Sequence, residues 1–380
     1  MGFHFMAGFR PAAVSFTSRT VVASLCLVLL GGCADTGYLL QSARGHLQML
    51  QAAKPIDAWL ADAQTPADLK QRLLLARQMR SFAVAELHLP DNASYHRYAD
   101  LHRRAVVWNV VAAPPYSLKL KTWCFPVTGC IGYRGYFDEA DAKTLAGELG
   151  TEGLETSVYG VPAYSTLGWM NWAGGDPLLN TFIRYPEGEL ARMLFHELAH
   201  QVVYVQDDTP FNESFATTVE RLGGARWLAA RGSDAARREY AEFDGRRRQF
   251  HALMLATRER LETVYQQKES DEKEPDAQPT PAQVAMKAET MRQFRAEYAV
   301  LKASWQGFAG YDVFVDRANN ASFGVQAAYD SLVPAFEALF RREGGDWPRF
   351  YDEVKRLAAL PKAERTQALR QLSIREHPGA

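Results

Sequence analysis

The sequence predicts an α+β fold: a small mixed sheet with one edge strand, a pair of helices beside it, and a mostly helical carboxy-terminal part. Three observations predict it. Runs rich in β-branched and aromatic residues are confined to positions 106–167, apolar residues at helical spacing fill the stretches on either side, and two histidines one helical turn apart sit in a strongly apolar segment.

At the amino terminus, Arg10 and Arg19 precede an apolar run from Val21 to Leu30 that ends in Leu30-Gly31-Gly32-Cys33. Ten residues are too few to span a bilayer, which takes about 20. Small residues before a cysteine match a lipoprotein cleavage site, so residues 1–32 read as a signal peptide and Cys33 as the residue that carries the lipid. The alternative is an uncleaved signal anchor. The expected location is the bacterial cell envelope, lipid-anchored and facing the periplasm, with the inner or outer membrane left open. Loss of Arg10 and Arg19 leaves 41 basic against 44 acidic side chains. With no basic surface implied, nucleic acid is excluded as a partner, because binding it requires many neutralised phosphates. Cys26 and Cys33 belong to the leader, and in an oxidising compartment Cys124 and Cys130 are expected to close a small disulfide loop. A metal or redox pair is the alternative, which the missing Cys-x-x-Cys spacing disfavours.

Leu39–Leu60 and Pro66–Leu89 show helical spacing, punctuated by Pro55, Pro66 and Pro90. Val106–Ala112 and Tyr116–Cys124 read as neighbouring strands joined at Pro114-Pro115, with Gly132–Phe137 a third. Asp138 begins a helix ending near Gly150. Thr156–Leu167 is apolar and aromatic, but Gly160 and Pro162 restrict it to a sheet edge or an irregular loop. An edge strand there could pair with an extended peptide. From Ser233 onward the pattern is helical: one stretch to Gln267, another from Pro281, then Phe323–Arg342 and Asp346–Leu360. Lys268–Gln283 is charged and proline-rich and reads as a mobile link. The expected organisation is therefore a leader (1–32), a catalytic region (33–232) and a helical carboxy-terminal region (233–380). Arg246-Arg247-Arg248 reads as a solvated face, and His88, His96 and His102 as ordinary surface or core residues.

The densest chemistry lies in His196-Glu197-Leu198-Ala199-His200. Residues four apart on a helix stand one turn above one another, so both imidazoles can reach one metal ion at about 2.0–2.1 Å. Glu197 falls on the same side, where a carboxylate can deprotonate water without ligating the metal. Gln206-Asp207-Asp208-Thr209-Pro210 is a turn, with Thr209 as N-cap and Pro210 at the first position of a second, antiparallel helix. Glu213 then comes level with His200 and is the preferred third ligand; Glu220, two turns further on, is the lesser choice. Leu190, Met193, Leu194, Phe195, Leu198, Val202 and Val203 surround the motif and argue for burial rather than a solvated His/Glu stripe. The implied cofactor is one catalytic Zn2+ ion.

A sheet with an edge strand, an HExxH helix and a following helix that supplies glutamate resembles the thermolysin-like zinc peptidases called gluzincins, a zincin-like core. Asn212-Glu213-Ser214-Phe215-Ala216 is similar to the stretch around their glutamate ligand. More closely, the chain resembles the bacterial envelope family of predicted aminopeptidases. The matching segments are Tyr38-Leu39-Leu40-Gln41, Cys124 to Cys130 with Tyr133-Arg134-Gly135-Tyr136-Phe137, Leu167-Gly168-Trp169, Asp176-Pro177-Leu178-Leu179, His196 to Gln201, Asn212 to Ala216 and Asn319-Asn320-Ala321. The resemblance implies a zinc aminopeptidase acting on peptides, with His196, His200 and Glu213 as ligands and Glu197 as base. Two departures stand beside it. Only twelve residues separate His200 from Glu213, and the Gly-x-Met-Glu-Asn segment with which gluzincin aminopeptidases hold a substrate's amino end is absent.

An oxyanion donor is also required, for which Tyr159, Tyr164, Tyr311 and Tyr329 are candidates. The rival readings are a zinc endopeptidase or other amide hydrolase, and a non-catalytic, envelope-anchored scaffold that binds peptide.

Overall fold

Proline sets the first boundaries. In the computed structural model, which describes residues 33–125, 129–266, 279–330 and 332–376, helix α1 (Cys33–Ala52) stops before Pro55 instead of running to Leu60. A two-residue strand β1 (Lys54–Pro55) and a short helix α2 (Ile56–Ala61) take up the remainder. The expected leader and the side chain of Cys33 lie outside the described residues. The chain divides into two compact units, residues 1–48 and 49–380. Of the first, only the amino-terminal part of α1 is described.

In the second unit Pro66 caps α3 (Ala67–Leu87), whose buried stripe runs through Leu69, Leu73, Ala76, Met79 and Ala83. The strand β2 (Arg97–Ala99) precedes β3 (Val107–Ala113), the centre of the main sheet. After β4 (Trp123–Phe125), β5 (Gly129–Ile131) and β6 (Arg134–Tyr136) comes helix α4 (Glu139–Thr151), capped by Asp138, which accepts from the Ala140 N–H. Next is β7 (Glu155–Val161), which pairs antiparallel with β3 from Val107↔Val161 to Ala113↔Glu155. The strand order is β6-β3-β7, so β7 is an edge, and Pro162 ends it as soon as its last pair is made. The two faces of β3 follow the period of two: Val110 and Ala112 pack against Ala142 and Leu149 of α4, while Val111 and Ala113 pack against Ala321.

Three expectations are corrected. Tyr116–Cys124 is not a paired strand beside β3: β6 takes that edge over Trp108–Val110, and beyond it the segment makes one bond, from the Lys121 N–H to the Ala112 carbonyl. Only its end forms β4, in a hairpin with β5 closed by the Cys124–Cys130 disulfide. Its alternating leucines face other partners: Leu118 joins a helical core and Leu120 packs beside Val111 and Ala113. Second, among the described residues the strands form three small sheets rather than one mixed sheet. One of them, β1-β2-β8 with β8 (Leu178–Leu179) parallel to β2, consists of strands too short to show a period. Third, the helix expected over Phe323–Arg342 is two helices, because Pro334 lacks the N–H that a continuous helix needs.

The rest is helical: α5 (Glu187–Ala199), α6 (Thr209–Arg231), α7 (Asp234–Gln266), α8 (Pro281–Ser304), α9 (Asp312–Arg317), α10 (Asn320–Asp330), α11 (Val333–Arg342), α12 (Trp347–Ala358) and α13 (Lys362–Glu376). A capping box between Thr280 and Gln283 starts α8, as expected near Pro281, whereas residues 268–278 of the expected link lie outside the described residues. Phe250, Leu253, Met254 and Leu261 of α7 form one core with Met291, Phe294 and Tyr298 of α8. Asn320 docks α10 on the sheet: its side chain donates to the Pro114 and Pro115 carbonyls, and its N–H to Glu155. No described helix is long and apolar enough to cross a membrane.

Gly175 lies where the 162–177 loop meets the Ser94 segment. Its φ is +65°, and a Cβ there would stand 2.4 Å from the Ser94 nitrogen. Gly175→Ala is expected to lower unfolding stability by more than about 1 kcal/mol, measured by denaturant melts; an unchanged midpoint would show that the contact yields.

Candidate metal centre

Leu190, Leu194 and Leu198 recur every four residues along α5 and are fully buried, which turns the flanking positions of the same helix toward α6. His196 and Glu197 lie in its last turn. His200 is the C-cap, yet its backbone stays helical (φ −58°, ψ −21°) and its N–H donates to the His196 carbonyl, so the one-turn spacing survives. Gly224 of α6 leaves room for the stem of Arg192, since a Cβ there would lie 2.9 Å from Arg192 Cγ.

The turn between the helices is held from three sides. The Asn212 side chain accepts from the Val205 N–H at 2.8 Å and donates to the Val205 carbonyl at 2.7 Å. Asp207 accepts from the Cys130 N–H of the disulfide hairpin. The buried Asp208 accepts from Arg365 Nε and Nη2 at 2.9 and 2.7 Å. Asp208, rather than Thr209, is the N-cap of α6, with Thr209 and Pro210 its first two residues. Occupied by Arg365, the Asp208 carboxylate makes no capping bond.

These constraints bring His196, His200 and Glu213 together, each offering one ligand atom within 4.8 Å of the others. His196 Nε2 lies 3.1 Å from His200 Nε2 and 3.4 Å from Glu213 Oε2; His200 Nε2 lies 3.8 Å from the same oxygen. Tetrahedral zinc with bonds of about 2.0–2.1 Å separates its donors by about 3.3 Å, so this donor set fits that ion. The three side chains are 8–16% exposed. Glu220 is not part of the group. It accepts from His196 Nδ1 at 3.0 Å and from Arg192, fixing the ring so that Nε2 faces the other ligands. Its seven-residue spacing from Glu213 was legible, but the side of the ring it would reach was not. Arg192 lies 3.9 Å from Glu189 and 3.8 Å from Asp244; Arg247 pairs with both of these carboxylates and Arg248 with Asp244, so two of the three consecutive arginines join this network.

Burial and charge oppose one another throughout. Burial pulls the His196 imidazolium down, but Glu213 and Glu220 outweigh it and hold its pKa well above the usual value. His200 has Nδ1 without a hydrogen-bond partner among the described residues, and burial drives it down to about 4. Burial pushes Glu197 up to about 7, against the pull of His196 and with Glu213 and Asp176 adding repulsion. Burial also works against ionised Glu220, yet Arg192 and His196 bring it down to about 2.

Of the candidate tyrosines, Tyr159 on β7 accepts from Asn109 and lies within electrostatic reach of Glu213. Tyr164 packs on Phe137, Tyr311 stacks on Phe250 in the helical core, and the Tyr329 side chain lies outside the described residues. Sequence reasoning passed over two others. Tyr204 has its ring 6.4 Å from that of His200, and Tyr95 is buried, within reach of Glu197, its hydroxyl unpartnered among the described residues. A left-handed backbone at Tyr95 (φ 68°) was the structural oddity, which no local pattern announced. His88, His96 and His102 stand outside the ligand group.

A family model described as "Putative aminopeptidase" matches residues 37–369. No curated protein and no solved structure matches the chain.

Glu220→Gln keeps the shape but weakens the grip on His196 Nδ1, so metal affinity is expected to fall about 10–100-fold, read by chelator competition. Equal affinity in the variant would remove the orienting role. Asn212→Ala deletes both bonds to Val205 and is expected to cost about 1–3 kcal/mol of stability, checked by equilibrium unfolding.

Proposed function

The chain belongs to the family described as "Putative aminopeptidase", and from that premise we propose that it is a zinc-dependent peptidase acting as an aminopeptidase. The observation that carries this reading is the convergence of His196, His200 and Glu213, with Glu197 beside them on the helix. Zinc, when bound, supplies a Lewis acid that polarises a peptide carbonyl and lets water lose its proton near neutral pH. His196, His200 and Glu213 would hold it.

The chain's own groups do the rest. Glu197, with its affinity for protons raised by burial to about 7, suits a base that takes the proton of the attacking water and delivers it to the leaving amine. Glu220, backed by Arg192, keeps the His196 ring in one orientation. Tyr159 would donate its hydroxyl hydrogen to the developing oxyanion, which its position on β7 near Glu213 supports. As an edge strand, β7 offers backbone groups to an extended substrate beyond Thr156, whose carbonyl accepts from Asn319. The Leu30-Gly31-Gly32-Cys33 sequence supports a lipid on Cys33 and a position in the bacterial envelope facing the periplasm.

One observation favours an endopeptidase instead: the chain has no Gly-x-Met-Glu-Asn segment to hold a free amino end. Matched peptides with free and acetylated amino termini separate the two, an aminopeptidase cleaving only the free series.

Glu197→Gln removes the base without removing a ligand. It is expected to lower kcat about 10²–10⁴-fold while zinc content stays at the wild-type level. Activity unchanged in the zinc-loaded variant would sink the hydrolase reading in favour of a peptide-binding scaffold.

A further inference from the structure

Of the eight tryptophans, Trp169 and Trp172 alone are exposed, at 68% and 82%. Indoles bury about 150–250 Å² each when packed, so a displayed pair leaves a large apolar area in water. The loop that carries them is clamped along its length. Asp176, fully buried, accepts from the Thr166 N–H and hydroxyl and from Ser165. Arg97 donates to the carbonyls of Ala173, Gly174 and Gly175 at 3.1–3.2 Å. Between these clamps, i→i+3 bonds run from Thr166–Trp169 through Gly168–Asn171 and Met170–Ala173 to Asn171–Gly174. Leu167 and Gly168 turn the chain with positive φ (55° and 79°), and a single 3-10 turn, Asn171–Ala173, follows, so Trp169 and Trp172 are displayed three residues apart on one braced loop.

The same loop adjoins the ligand helix. Ser94 donates to Asn171 and accepts from Gln201, which directly follows His200. A Cβ on Gly168 would lie 3.4 Å from the Gln201 side chain. Residues 162–175 contain no charged side chain. A membrane-docking surface of the interfacial kind combines aromatic residues with lysine or arginine; an uncharged indole pair on a clamped loop that touches Gln201, next to His200, suits an apolar side chain.

We propose that Trp169 and Trp172 form a platform that receives a large apolar or aromatic side chain of the peptide, next to the scissile bond. The proposal rests on the peptidase reading for its substrate class, and it adds the side-chain preference.

The test uses zinc-loaded full-length chain and peptide pairs that differ only in Phe or Gly beside the scissile bond. The wild type is expected to favour Phe in kcat/KM by about tenfold or more. Trp169→Ala with Trp172→Ala brings that ratio close to one, whereas the double Phe replacement keeps most of it. Calorimetric titration of the same peptides into the Glu197→Gln chain reads the discrimination in Kd without turnover. A Phe preference in Kd without any cleavage by the wild type leaves the platform standing and removes the peptidase reading. Cleavage with a Phe/Gly ratio untouched by the alanine pair, or with no preference in the wild type, overturns the platform alone. Neither cleavage nor peptide binding overturns both. A double alanine variant that keeps its peptide selectivity but loses adsorption to phosphatidylglycerol vesicles assigns the indoles to a membrane surface and overturns the proposal.

Discussion

Burying carboxylates in an apolar helix pair costs several kcal/mol per ion unless cations compensate, and the α5–α6 hairpin accepts three of them: Glu197, Glu213 and Glu220. Arg192 answers one. Glu220 spends its two oxygens on Arg192 and on His196 Nδ1, which hands the orientation of the first imidazole to a residue on the facing helix. The remaining negative charge is focused where His196 Nε2, His200 Nε2 and Glu213 meet. A site of this polarity is unfavourable without a cation, and a divalent ion at that point satisfies both imidazoles and the carboxylate together.

The twelve-residue connection between His200 and Glu213 is short enough to leave little slack, and the fold supplies clamps from remote parts of the chain. Cys130 reaches Asp207 from the disulfide hairpin, and Arg365 reaches Asp208 from α13. Asn212 works locally, closing the turn onto Val205 one residue before the glutamate whose position matters. The carboxy-terminal helices and the hairpin thus act on the geometry of the site without contributing a ligand. Buried Asp176 does the same on the other side, bracing the loop beside Gln201 while adding its charge to the field at Glu197.

Much of this was readable from local pattern. Helices α3 and α8 follow the expected helical spacing, and their starts fall at Pro66 and the Thr280 cap beside Pro281. Strand β3 was legible from its β-branched and aromatic run, and of the edge strand or irregular loop open for Thr156–Leu167, Glu155–Val161 forms an edge strand that Pro162 ends. Tyr116–Cys124 misled, since its alternation reports burial without naming the partner: Leu118 enters a helical core while Leu120 packs beside Val111 and Ala113 of β3. The two-residue strands β1 and β8 carry no period at all.

The sequence by itself determined the chemistry available at the centre: imidazoles one turn apart, a glutamate between them and another just past a short turn, since helical spacing is a local property of the backbone. Only the tertiary structure decided which nitrogen of His196 faces His200 and Glu213, that Glu220 meets His196 Nδ1 instead of joining that group, and that the Trp169 loop stands beside Gln201. Those outcomes depend on contacts between residues far apart in the chain, and long-range packing leaves no signature at any fixed sequence spacing.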